Sequence, residues 1–157
     1  MTAPSIRPER TGDAPHVRAL LKAAFGGATE ADMVDTLRAE GDLVLALVAE
    51  QQGIAGYVAF GSRTVPVIGL APAAVAPDRQ RQGIGSALIR AGVDRLKDRG
   101  ERLVFVLGDP AYYGRFGFKV MDGFVSRWAG PYFQTLILAP DAPTSGKVSY
   151  PQAFADL

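Results

Sequence analysis

Residues 80–86 read Gln80-Arg81-Gln82-Gly83-Ile84-Gly85-Ser86 and lead straight into a stretch with the apolar period of a helix. That combination can hold an anion. A helix start leaves N–H groups without intrahelical partners and carries the positive end of the helix dipole. Glycines let the backbone approach an anion with no side chain in the way. The ligand such a loop suits is a phosphate or pyrophosphate. Three related motifs do not fit. The dinucleotide fingerprint needs a small residue where Leu88 stands. The Walker lysine is missing, since the Gly146-Lys147 pair lies far from this loop. No serine has glycine at both −2 and +2, so there is no nucleophile elbow. The plain alternative is a tight strand-to-helix turn with no ligand. Local charge weighs against it: residues 78–102 hold seven basic and four acidic side chains in a chain whose net charge is +1.

A second candidate is Tyr113, with Tyr112 beside it. Asp109-Pro110 reads as an N-cap followed by proline at the first helical position. A short helix from there to Phe116-Gly117 gives the Tyr113 ring a defined direction. A tyrosine has a reference pKa of about 10, so it carries its proton at pH 7 and can donate it. Packing is the competing role for both rings. Much other chemistry is excluded. The 157 residues contain no cysteine and one histidine, His16. There is therefore no disulfide, thiolate nucleophile, Cys-ligated zinc, iron–sulfur cluster or multi-His metal site. His16 falls in the first turn of a surface helix and is expected to face solvent. The reaction must use carboxylates, hydroxyls, amines, backbone groups or a borrowed cofactor.

The elements that position these residues follow from periodicity. Thr11 to Phe25 is a helix with Val17, Leu20, Leu21, Ala24 and Phe25 on one face, stopped by Gly26-Gly27. Thr29 and Asp32 have capping-box spacing and open a second helix through Glu40. Leu43–Glu50 and Ile54–Phe60 form a hairpin, and Val67–Ala76 is a further strand. Pro66, Pro72 and Pro77 lie in or around that strand, so its ladder is interrupted or its edge is free. Gly85–Arg99 is the clearest helix, with Leu88, Ile89, Gly92, Val93 and Leu96 in one stripe. Leu103–Leu107 is a buried strand, and Thr135–Leu138 is the core of a late one. The fold class is α/β, with one parallel crossover from the 67–76 strand to the 103–107 strand. Composition, with 48% hydrophobic and 21% charged residues, is that of one globular domain over residues 1–157. The near-zero charge predicts no nucleic-acid partner. No apolar run approaches the ~20 residues of a membrane span, and the start lacks a signal-peptide core. Zero cysteine fits a cytoplasmic location.

The pattern Val75-x-Pro77-x-x-Gln80-x-x-Gly83-x-Gly85 resembles the acetyl-CoA signature of the GNAT superfamily of N-acetyltransferases. Tyr113-Gly114-Arg115-Phe116-Gly117-Phe118 resembles its second signature, a Tyr on a short helix followed by Gly-Phe. The stretch Leu107–Phe118 is similar to the YhbS-like subgroup of predicted acetyltransferases. The match covers residues 67–120 closely. It implies a GNAT fold, with a mostly antiparallel mixed sheet and a splayed parallel strand pair. It also implies acetyl-CoA as cosubstrate, with no metal. Backbone at Ala73, Ala74 and Val75 would pair with pantetheine amides, N–H groups from Arg81, Gln82, Gly83, Ile84, Gly85 and Ser86 would hold the pyrophosphate, and Tyr113 would be the general acid. The acceptor would be an amine of a small molecule or peptide, and a homodimer is left open. Many relatives carry a Glu in the central strands as base, but here no Asp or Glu occurs between Glu50 and Asp78 or within 103–107. Asp32, Asp35 and Glu40 are read as a solvated helix face, and Asp109 as a cap. No base is assigned. Trp128 and Tyr132 edge an acceptor pocket or pack the late strands, with packing the default. A non-catalytic acyl-CoA-binding module and a nucleotide-binding protein of another class are the alternatives.

Overall fold

The computed structural model describes residues 4–62, 67–126, 130–148 and 151–154. Strand β1 (Ser5–Pro8) precedes a 3-10 turn at Thr11–Asp13 and helices α1 (Ala14–Phe25) and α2 (Thr29–Ala39). A meander of β2 (Leu43–Glu50), β3 (Ile54–Gly61) and β4 (Val67–Val75) follows, and α3 (Ile84–Asp98) crosses over to β5 (Leu103–Leu107). Beyond it lie the short helix α4 (Pro110–Tyr113), β6 (Phe124–Val125), β7 (Phe133–Ile137) and β8 (Gly146–Lys147). The main sheet has the order β1-β2-β3-β4-β5-β7, and β6 pairs with β8 in a small second sheet. Within the main sheet only β4 and β5 are parallel. No helix among the described residues is long and apolar enough to cross a membrane.

Helices cover both faces of the sheet, which explains the unbroken apolar run of β2. Successive strand residues point to opposite faces, so a strand covered twice must be apolar throughout. Leu45, Leu47 and Ala49 pack with Ile84, Leu88, Ile89 and Leu96 of α3. Ala46 and Val48 pack with Val17, Leu20 and Leu21 of α1 and with Ala31 and Val34 of α2. Gly92 is where α3 approaches the sheet most closely, over the ring of Phe60.

The parallel pair is short. Val67, Ile68 and Gly69 match Leu103, Val104 and Phe105. Beyond them β4 bulges: Phe60 faces Leu70 while Val58 faces Ala73, so β4 holds one extra residue around Ala71 and Pro72. Pro72, within this bulge, has no N–H to donate. From Ala73 to Val75 β4 pairs with β3 alone, while β5 stays with β7 as far as Leu107. The two strands therefore part, as the prolines of this segment predict. Pro66 lies outside the described residues.

Two local expectations need correction. Thr29 does not cap α2; it is the first helical residue, and Ala28 at the N-cap makes no side-chain capping bond. Asp32 pairs instead with Arg18 of α1 at 2.8 Å, where it meets a full positive charge rather than a backbone N–H. Strand β1 carries no alternating pattern and is not predicted from sequence. It is held by pairing with β2 from Ser5↔Glu50 to Pro8↔Leu47. Arg7 within it donates to both oxygens of Asp13, at 2.7 and 3.0 Å, and to Glu50 at 3.0 Å.

Two outcomes follow from this packing. On helix propensity alone Gly92→Ala is favourable by about 1 kcal/mol. A Cβ there would lie 2.5 and 2.7 Å from the Phe60 ring, and overpacking costs about 1–3 kcal/mol. We expect a lower urea midpoint for Gly92→Ala; an unchanged midpoint would mean that the ring moves aside freely. Asp13 is held at a pKa of about 2, below its ordinary 3.8, chiefly by the hydrogen bonds from Arg7. Its contribution is complete above the ordinary value and disappears as pH falls towards 2. Asp13→Asn should cost on the order of 1–2 kcal/mol at pH 7 and flatten the acid limb of a stability–pH curve.

Candidate active site

A groove follows the parting of β4 and β5 in two connected parts. The first, about 340 Å³, is lined by Ala24 and Phe25 at the end of α1, Ala73–Val75 of β4, Gln80, Gly85, Tyr112 and Tyr113. The second, about 410 Å³, is lined by Val75, Gln80, Arg81, Gly83–Ser86, Tyr112 and Arg115. Val75, Gln80, Gly85 and Tyr112 belong to both. Of the residues that the family resemblance assigns to acetyl-CoA binding and catalysis, the fold brings all but Gln82 to this groove; Gln82 is exposed in the same turn but lines neither part.

The second part could hold an anion. Gly83, at φ 81°, is the N-cap of α3, and no side chain caps the helix. The first intrahelical bond runs from Ala87 N to Gly83 O at 3.0 Å. The N–H groups of Ile84, Gly85 and Ser86 precede that bond and sit at the positive end of a 15-residue helix. Arg81 has φ 66°, a left-handed conformation that a non-glycine residue adopts only under constraint. Gln80 ties the loop back to β4, with Nε2 donating to the Val75 carbonyl at 3.3 Å.

Arg115 is the residue that sequence reasoning missed. Its guanidinium lies 4.5 Å from the centre of the Tyr112 ring. One terminal nitrogen donates to Ser86 Oγ and Nε donates to the Tyr112 carbonyl, each at 3.3 Å. A second cation thus joins the anion-binding half of the groove from the far side. The only sequence signal was its place inside the second motif, two residues after Tyr113.

Tyr113 stands at the other half. Asp109 caps α4, accepting from Ala111 N at 2.9 Å, and Pro110 opens the helix. Tyr113 packs edge-on against Tyr112 at 5.0 Å and Phe118 at 5.9 Å. A Cβ on Gly108 would come within 2.5 Å of its ring, so only glycine leaves the ring its place. Burial, with a smaller effect from Tyr112, pushes the Tyr113 phenol up to about 12. It therefore stays protonated at any physiological pH. Tyr112 reaches over the start of α3, where its hydroxyl would lie 3.2 Å from a Cβ on Gly85.

No Asp, Glu or His lines either part of the groove among the described residues. Two of the three acids of α2 are committed elsewhere. Asp32 and Asp35 both hold Arg18 at 2.8 Å, and Asp35 also holds Arg38 at 2.9 Å. Arg38 in turn pairs with Glu9. His16 is exposed, as expected. Tyr132 is 60% exposed rather than packed, and Trp128 lies outside the described residues.

Comparison with known proteins agrees with this geometry. A family model described as an acetyltransferase (GNAT) domain matches residues 5–121. YhbS of Escherichia coli K12, called an uncharacterized N-acetyltransferase, is 38% identical over 162 residues, covering 95% of this chain and 97% of YhbS. The crystal structure of Escherichia coli YhbS in complex with CoA superposes with a TM-score of 0.92 at 37% identity, covering 98% of this chain and 93% of that one. A GNAT family acetyltransferase from Brucella melitensis in complex with acetyl-CoA gives 0.84 at 40% identity, over 96% and 97% of the two chains. Sheet, groove and sequence similarity converge: the chain belongs to the GNAT family of acetyltransferases.

Proposed function

We propose that the protein transfers an acetyl group from acetyl-CoA directly to a primary amine within one ternary complex. The observation that carries this is the continuity of the groove. It joins the β4 backbone at Ala73–Val75, paired with β3 but not with β5, the N–H groups at the start of α3 and the protonated Tyr113 phenol. CoA and acetyl-CoA in the two similar structures support the choice of cosubstrate.

Each part has one task. Ala73, Ala74 and Val75 offer N–H and C=O groups of strand geometry to the pantetheine amides. Ile84, Gly85 and Ser86 offer N–H groups to the pyrophosphate, with Arg81 and Arg115 supplying positive charge. The amine nitrogen bonds to the acetyl carbon as the carbon–sulfur bond breaks. The sulfur leaves with the electron pair and takes the phenolic proton of Tyr113, while the new amide nitrogen loses one proton to solvent and the tyrosinate regains one from it. The phenol is raised by burial, and a thiolate leaving into the same apolar cavity is raised by the same loss of solvation. The two shifts offset each other, so the proton transfer stays about as balanced as it would be in water. A module that binds acyl-CoA without turnover is the second reading, favoured by the absence of a lining carboxylate.

Two experiments test the CoA site that both readings share, and a third tests turnover, which separates them. Acetyl-CoA should raise the thermal unfolding midpoint while ATP and NAD leave it unchanged, since a ligand of the native state stabilises it. Arg115→Ala should weaken acetyl-CoA binding by about 5–30-fold, the cost of a lost charge-assisted contact, and leave acetyl-pantetheine, which lacks the pyrophosphate, unaffected. For turnover, Tyr113→Phe keeps the ring and removes the proton. It should lower kcat for CoA release by about 10²–10⁴-fold with acetyl-CoA affinity retained. Near-full turnover by this variant would remove Tyr113 from the mechanism.

A further inference from the structure

We infer that the acceptor is a weakly basic primary amine, taken up in its neutral form, rather than a lysine-like alkylammonium. This rests on the acetyl-transfer reading above and deepens it by naming the substrate class.

The half of the groove that holds Tyr113 is walled by Ala24, Phe25, Ala73, Ala74 and Val75. Its titratable groups can be named element by element. None of the lining residues from β4 or α1 is titratable, and α4 supplies Tyr112 and Tyr113. The adjoining half adds Arg81 from the loop before α3 and Arg115 from the turn after α4. No carboxylate or imidazole joins them among the described residues. Asp109 is engaged in capping, Asp32 and Asp35 of α2 are engaged with Arg18 and Arg38, and Glu30, the third acid of α2, lines neither half.

An ammonium entering such a cavity loses hydration and finds no counter-charge. That loss of hydration disfavours the charged form of a bound amine and lowers its pKa. The cavity thus selects the form that can attack, but it offers no group to remove a proton from an amine that arrives charged. The acceptor's own basicity then sets how much reactive form is available. At pH 7 an α-amine, with pKa about 7.7–8.0, is neutral in roughly one molecule in seven; a lysine side chain, at about 10.4, is neutral in roughly one in 2,500.

The test compares phenylalanine amide, with a free α-amine, and Nα-benzoyl-lysine amide, with a free ε-amine. Acetylation of each is followed by mass spectrometry from pH 6 to 10 with the intact protein. Binding of acetyl-CoA is checked separately by thermal shift. The expected result is at least a 10-fold higher kcat/KM for the α-amine at pH 7. The ascending limb for each probe should follow that probe's own pKa, so that the gap narrows as pH rises. Transfer to the α-amine alone also supports the inference. Coincident ascending limbs for the two probes, or transfer to the ε-amine alone, would mean that a protein group removes the proton and would overturn it. Transfer to neither probe, with acetyl-CoA still bound, overturns the inference and leaves the CoA site standing. Failure to bind acetyl-CoA overturns the underlying reading and the inference with it.

Discussion

Parallel strands satisfy their backbones only where both present N–H and C=O groups in register. β4 and β5 do so for three residue pairs, Val67–Gly69 against Leu103–Phe105, and then stop. Pro72 cannot donate, and the bulge around it turns Ala73–Val75 away from β5. A sheet with helices on both faces can tolerate such an interruption only where something else reaches the released groups. The groove lies at that interruption. Every other feature of the site is arranged around it: the start of α3 beside β4, and α4 beyond the end of β5.

The surroundings of the parting are rigid for different reasons on the two faces. On the α3 face the packing is apolar and close, with Gly92 over Phe60 and Leu88 and Ile84 over Gly56. On the other face the two helices are cross-linked by charge. Arg18 of α1 bridges Asp32 and Asp35 of α2, and Arg38 of α2 reaches Glu9 beside β1. Exposed ion pairs contribute little singly, and this set shares side chains, which lowers the entropy lost per contact. The result positions Ala24 and Phe25 at the edge of the cavity. Asp32 and Asp35 are thereby part of the scaffold of an acetyltransferase domain.

Legibility in the sequence depended on how local the physics was. The loop at 80–86 was readable because its geometry resides in the backbone, and a helix start with glycines announces itself in a few consecutive residues. Tyr113 was readable because Asp109 and Pro110 fix a helix start only a few residues upstream. The weak ladder of β4 was readable because a proline carries its missing donor everywhere. β1 was not readable, since four residues gain strand geometry only by pairing with β2 and by the Arg7 contacts to Asp13 and Glu50. Thr29 and Asp32 had the spacing of a cap, yet Arg18, which outbids a backbone N–H for Asp32, comes from another helix.

The sequence by itself determined the order of elements from α1 to α4, the glycine loop before α3, the interrupted strand and the tyrosine on its capped helix. All of these are set by backbone chemistry within about one helical turn of the residues concerned. The tertiary structure decided what meets what. It brought Arg115 across to Ser86 and Tyr112, raised the Tyr113 phenol by burying it, and withdrew Asp32 and Asp35 into a helix clamp. Burial and charge pairing depend on distances between segments far apart in the chain, which no local pattern encodes.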